Sequence, residues 1–355
     1  MSTPFVPGCL PVLIGSLPVA DHAQAVDLVF QHTPDIPLWV QLPINLKEGM
    51  LRQFLPGLPG IAECEDRIYI DTAAESFDAQ LLDFYEAYLA VVEGRVALEA
   101  SRFALTPETA EGFFAFSQRL DHLPSPPVAL KGQVTGPITF CTGLYDQDKR
   151  AIFYHEPLRE AAVKLLALKA KWQVRQLARW HRPVIIFIDE PALAGFGSSE
   201  FISISREDIS ACLSEIIDAI HAEGGLAGIH VCANTDWSLV LDSPVDIVNF
   251  DAYAYFDRFI LYSQSIRRFM AAGRILAWGI VPTLKAEDIA KETADSLVVR
   301  WKDAAGRLAA LGLDAEAIAA QALITPSCGT GSLSLDLALK VLSLTGEVSR
   351  RLREP

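Results

Sequence analysis

The sequence has no basic excess and no long apolar run, and each absence removes a class of function. Lysine and arginine number 30 against 44 aspartates and glutamates, a formal net charge of -14. No basic patch or stripe is available to neutralise phosphates, which excludes nucleic acid as a partner and an anionic membrane surface with it. No stretch is apolar for long enough to span a bilayer, and Met1 to Leu10 carries neither a positive n-region nor a sustained apolar core. The expectation is a cytoplasmic protein. Cysteine is also scarce: the six (Cys9, Cys64, Cys141, Cys212, Cys232, Cys328) lie in a 355-residue chain without an export signal and read as reduced thiols, not as a disulfide framework. Cys212 falls in a helical pattern, and Cys9, Cys64 and Cys141 have no ligand-like neighbours, so these four read as structural. Internal repeats, low-complexity tracts and interdomain linkers are missing too, and residues 1–355 read as a single domain.

What the sequence does have is apolar material, 51% of its residues, arranged in a regular alternation. Apolar runs rich in β-branched residues cover Pro11 to Ser16, Pro37 to Leu42, Val128 to Thr135, Pro183 to Asp189, Leu226 to Cys232, Asp246 to Asp251, Ile275 to Val281 and Ala322 to Cys328. Helical patterns separate them, at Pro107 to Leu120, Leu158 to Trp180, Arg206 to Ala222, Arg258 to Ala272, Ala286 to Leu311 and Leu333 to Leu352. Continuous apolar strands alternating with helices predict an α/β fold with a buried parallel sheet, and eight such units fit a (β/α)8 TIM barrel. An open doubly wound sheet is the alternative. Residues 45–88 break the rhythm with Pro56, Gly57, Pro59 and Gly60 followed by a short strand at Arg67 to Asp71, and read as an insertion or hairpin over one face.

In such a barrel the active site lies at the C-terminal ends of the strands. Several runs end there in chemically useful residues: Ser16, Asp189-Glu190, His230 and Cys232, Asp251, and Cys328. His230 and Cys232 are two apart in an extended run and face the same way. Imidazole and thiolate are ligands that zinc prefers, and with Cys328 from the last strand they make the three that a catalytic zinc needs, one position staying open. A lone His-x-Cys is more often structural. The carboxylates and the second cysteine on the same rim are what favour a metal-assisted site.

Five stretches resemble the catalytic half of cobalamin-independent methionine synthase, within the superfamily that also holds uroporphyrinogen decarboxylase and the methylcobalamin:coenzyme M methyltransferases. They are Ile14-Gly15-Ser16-Leu17-Pro18, Val134-Thr135-Gly136-Pro137-Ile138-Thr139, Ile188-Asp189-Glu190-Pro191-Ala192-Leu193, His230-Val231-Cys232 and Pro326-Ser327-Cys328-Gly329. The resemblance spans nearly the whole chain and implies zinc-dependent methyl transfer to a thiol, with His230, Cys232 and Cys328 as ligands. The run that supplies the family's fourth ligand ends here in Asp251, which either ligates or orients His230. By the same resemblance Asp189 holds the amino group of homocysteine, and Ser16, with Ile14 in the same stretch, lies at its carboxylate end. Glu190 either shares that ammonium or is a hydrogen-bonding strut at the strand end.

The sequence also departs from the family. It is too short for the second barrel that helps to hold a polyglutamyl folate, and Gly279-Ile280-Val281-Pro282-Thr283 stands where a histidine serves the folate side. The family's early acidic motif has no clear counterpart between Val40 and Asp71. The acceptor side is present and the donor side is not. The expectation is therefore methyl transfer to homocysteine from methylcobalamin or another methylated corrinoid, carried on a partner protein. Alternatives are a coenzyme M-like acceptor, metal-free decarboxylation of a uroporphyrinogen-like substrate, a non-catalytic zinc or corrinoid-partner module, and a zinc hydrolase.

Overall fold

The computed structural model describes residues 5–64, 67–196 and 203–354. Its strands are β1 (Leu10–Pro11), β2 (Ile61–Cys64), β3 (Arg67–Ile70), β4 (Leu130–Thr135), β5 (Val184–Asp189), β6 (Leu226–Val231), β7 (Ile247–Phe250), β8 (Ile275–Val281) and β9 (Ala322–Pro326). Seven of them form one parallel sheet in the order β1-β9-β8-β7-β6-β5-β4. The two ends of this sheet meet through residues 38–41. Leu38 bridges Lys131 of β4, and Gln41 bridges Ser16 beyond β1, both in parallel. The predicted strand Pro37 to Leu42 is therefore the eighth stave of a TIM-like barrel. It and the first stave form isolated bridges in place of full ladders. Pro11 and Pro37 lack the N–H that a ladder needs, which accounts for the short pairing.

The helices are α1 (His22–His32), α2 (Phe77–Val92), α3 (Pro107–Leu120), α4 (Pro137–Gly143), α5 (Glu156–Leu177), α6 (Arg206–His221), α7 (Trp237–Leu241), α8 (Ala252–Phe259), α9 (Ser263–Ala271), α10 (Ala286–Lys291), α11 (Ala294–Ala309), α12 (Ala315–Ala320) and α13 (Leu335–Arg353). Two predicted helices are split. A 3-10 turn at Ile260–Tyr262 separates α8 from α9, and Thr293 starts α11 afresh by exchanging hydrogen bonds with Ser296. The excursion at 45–88 contains the antiparallel hairpin β2–β3 and then α2, which its Pro/Gly-rich opening hides. No helix among the described residues is long and apolar enough to cross a membrane.

Side chains alternate across the barrel wall. Ile186 and Ile188 point outward into the large core shared with the helices, while Ile185 and Phe187 point inward and pack with Val12, Ile247, Ile275, Ala277 and Leu323. This apolar plug fills the start of the barrel. Further along the same inward faces the residues become polar: Lys131, Gln133 and Thr135 on β4, Asp189 on β5, His230 on β6 and Asn249 on β7, all buried.

Candidate metal centre

The parallel register decides which residues meet. Asp189 is paired with His230, and His230 with Asn249, so three neighbouring staves present these side chains to the same face at the same height. Cys232 follows one residue after β6 and Cys328 two residues after β9. The ligand atoms of His230, Cys232 and Cys328 all lie within 4.8 Å of one another. Residues from distant parts of the sequence thus converge where the sequence placed them.

The hydrogen bonds around His230 fix its ring. Asn249 Nδ2 donates to Ala277 O (2.9 Å) and Thr325 Oγ1 (2.8 Å), which leaves the amide oxygen facing His230 Nδ1 in a short hydrogen bond. Only a protonated Nδ1 can donate to that oxygen, so in the neutral ring Nε2 carries the lone pair. Nε2 is buried with no hydrogen-bond partner. Leaving such an atom unpaired costs about 1–3 kcal/mol, an expense that a metal ligand recovers on binding. The donor set, one imidazole nitrogen and two sulfurs with a free direction into a cavity, fits zinc. The two sulfurs also act on each other's acidity. Cys232 is drawn below the ordinary thiol range, first by the neighbouring Cys328 sulfur and then, against burial, by His230. Cys328 is pushed up by Cys232 and by burial.

The centre opens into a cavity of about 630 Å³ bordered by Ile14, Ser16, Gln41, Glu48 and Asp189, with Pro43, Ile44, Met50 and Pro191 as its apolar wall. Asp189 is 5% exposed and its Oδ1 has no partner. Burial raises its carboxyl to about 6, against the opposing charges of His230 and Lys131. Ser16 Oγ accepts from Gly331 N (3.2 Å), which leaves its proton free to donate. The sequence-selected residues Ile14, Ser16, Asp189, His230, Cys232 and Cys328 all border this one space.

Glu190 and Asp251 are placed elsewhere. Glu190 points to the outer side of the wall, where Oε1 accepts from Ile138 N (2.8 Å) and Oε2 from Thr139 N (2.9 Å) and Thr139 Oγ1 (2.6 Å). It clamps the start of α4, and a Cβ on Gly136 would lie 2.1 Å from its Cδ, which is why glycine stands there. Asp251 caps α8 by accepting from Ala254 N (2.8 Å) and lies outside the three-ligand group. Burial lifts its carboxyl to about 6. Orientation of His230 comes instead from Asn249, two residues earlier on the same inward face.

Sequence reasoning missed Asn249, Gln41 and Glu48. An asparagine inside the apolar run of β7 was the only available signal for the first. Gln41 is the next-to-last residue of a predicted strand, and its Nε2 donates to Gln53 Oε1 (2.6 Å) beside the cavity. Glu48 is the acidic residue between Val40 and Asp71 that borders the site, but it is already satisfied by His22 Nε2 (2.7 Å), Leu42 N (2.9 Å) and Asn45 Nδ2 (3.3 Å). Glu111 lies near this pair, so that His22, Glu48 and Glu111 form a second group that could hold a metal ion. Thr283 shares a 2.8 Å hydrogen bond with Ser327 Oγ. Compared with known proteins, the chain matches no family model and no curated protein.

Proposed function

We propose that this protein is a cytoplasmic, zinc-dependent thiol methyltransferase of the cobalamin-independent methionine synthase type, with homocysteine as acceptor and a methylated corrinoid on a partner protein as donor. The observation that carries this reading is the convergence, on one cavity, of an unpartnered His230 Nε2 beside two cysteine sulfurs and an unpartnered Asp189 Oδ1. His230, Cys232 and Cys328 would hold the metal. Zinc bound there supplies thiol activation, since a coordinated thiol is deprotonated at neutral pH whereas a free one, with a pKa of about 8.5, is mostly protonated.

The remaining work belongs to the protein's own side chains. Asp189 offers its free oxygen to the acceptor's ammonium, and Ser16 offers its hydroxyl proton to the carboxylate. The apolar wall excludes water and holds the acceptor sulfur in line with the methyl carbon. The sulfur–carbon bond forms as the donor–carbon bond breaks, and the electron pair of the broken bond stays with the donor. No lysine or arginine borders the cavity among the described residues, which favours an ammonium-bearing acceptor over a sulfonate or a polypropionate. Glu190 is assigned a structural part, because its oxygens are spent on α4.

The test is metal content of the wild type and of Cys328→Ser after loading with zinc and removing the excess. About one zinc per chain is expected in the wild type, with loss in the variant. Transfer from methylcobalamin to homocysteine by the zinc-loaded protein is then expected. Absence of zinc from the wild type would overturn the reading, and demethylation of methyltetrahydrofolate by the isolated chain would overturn its donor half.

A further inference from the structure

Asn249 is fully buried and held by hydrogen bonds to two other staves. Its Nδ2 meets a backbone carbonyl on β8 and the Thr325 hydroxyl on β9. This arrangement selects one amide orientation. A flipped amide would set its oxygen against Ala277 O and its NH2 against His230 Nδ1. Nδ1 would then have to accept, Nε2 would carry the proton, and the imidazole could not ligate. The same contacts discriminate against aspartate, which could accept from His230 but would turn its second oxygen toward Ala277 O.

Charge separates the two side chains further. Zinc with two thiolates and a neutral imidazole carries no net charge, and a thiolate substrate brings it to minus one. Asp189 stands on the neighbouring stave. A carboxylate at position 249 would add another negative charge in a buried place, where unit charges interact far more strongly than in water.

Resting on the zinc reading above, we propose that Asn249 is the positioning residue of this centre: its locked amide holds His230 as the Nδ1–H tautomer, and its neutrality leaves the ligand set able to accept a thiolate substrate. Thr325 has a share in this role, because its hydroxyl accepts a hydrogen bond from the amide that the Ala277 carbonyl orients and so helps to hold it in place.

The experiment compares wild type, Asn249→Leu, Asn249→Asp and Thr325→Val by three readouts. These are long-range proton–nitrogen spectra of His230 in the metal-free protein, zinc affinity by chelator competition, and homocysteine affinity of the zinc-loaded protein by calorimetry. Wild-type His230 is expected as the Nδ1–H tautomer. Asn249→Leu loses the single tautomer and binds zinc about 10–100-fold more weakly, the usual effect of removing a ligand's orienting partner. Thr325→Val, which keeps the volume of the side chain, moves both readouts the same way by less and serves if the leucine variant fails to fold. Asn249→Asp keeps zinc within about tenfold of wild type but binds homocysteine about tenfold or more weakly. An Nε2–H tautomer in the wild type, or unchanged zinc affinity in both Asn249→Leu and Thr325→Val, overturns the positioning role while leaving the zinc reading intact. Homocysteine affinity unchanged in Asn249→Asp overturns the charge argument. A wild type that takes up no zinc overturns the zinc reading and this one together.

Discussion

The two faces of the barrel wall at the end of β5 carry adjacent carboxylates with opposite fates. On the outer face Glu190 is fully buried and accepts three hydrogen bonds from Ile138 and Thr139. On the inner face Asp189 is almost as buried and keeps an oxygen with no partner. Burial raises both, Glu190 to about 7 and Asp189 to about 6. Similar desolvation therefore serves different ends. The outer carboxylate ties a helix to the sheet, and the inner one, like His230 Nε2 beside it, waits for a ligand. Satisfaction of hydrogen bonds, more than burial or residue type, separates the structural from the functional group.

Replacing the outer group should cost stability and spare the site. In Glu190→Gln one oxygen becomes an NH2 that faces backbone donors, so a buried acceptor is lost and a donor–donor conflict appears. The loss should be about 2–4 kcal/mol, read from denaturant midpoints at constant slope, with zinc stoichiometry unchanged. If instead metal uptake fell while stability held, the division between the two faces would be wrong.

Replacing the inner group should do the reverse. Asp189→Asn keeps shape and relieves a desolvated carboxylate, so unfolding should be little changed or slightly favoured toward the native state. For homocysteine kcat/KM should fall about 10–100-fold, the worth of a hydrogen bond to a charged group. A thiol without an ammonium should lose far less. Equal losses for both acceptors would mean that Asp189 acts on the metal centre and not on the amino group.

How much of this was legible follows from which distances matter. The eight staves were readable because strands buried on both faces are continuous β-branched runs, and their C-terminal ends carry the rim chemistry. His230 and Cys232 were readable as a same-facing pair from strand alternation alone. Asn249 was not, because its role depends on register with His230 and on Thr325, 76 residues away. Glu190 and Asp189 could be seen as a pair, but which one faces inward is settled only by Asp189 pairing with His230. The split between α10 and α11 is local, yet helical periodicity runs through it, and only the Thr293–Ser296 exchange reveals a new start.

Glu48 supplies the sharpest version of the comparison, because it borders the cavity like Asp189 and is satisfied like Glu190. If satisfaction is what matters, Glu48 is structural despite its position, and its partner His22 should show this through pH. Burial opposes the charge on His22, but the hydrogen bond and charge of Glu48, with Glu111 and Asp21 adding to them, raise its pKa above the ordinary 6.5. A histidine raised on folding contributes stability that is complete below its unfolded pKa of about 6.5 and is lost as pH rises through its higher folded value. The unfolding free energies of wild type and His22→Gln should therefore differ more at pH 5.5 than at pH 8.5, by less than the Glu190 effect. At each pH the variant should bind zinc as the wild type does. Homocysteine kinetics that changed as much in His22→Gln as in Asp189→Asn would place Glu48 among the groups that hold the acceptor, and position would then outrank satisfaction.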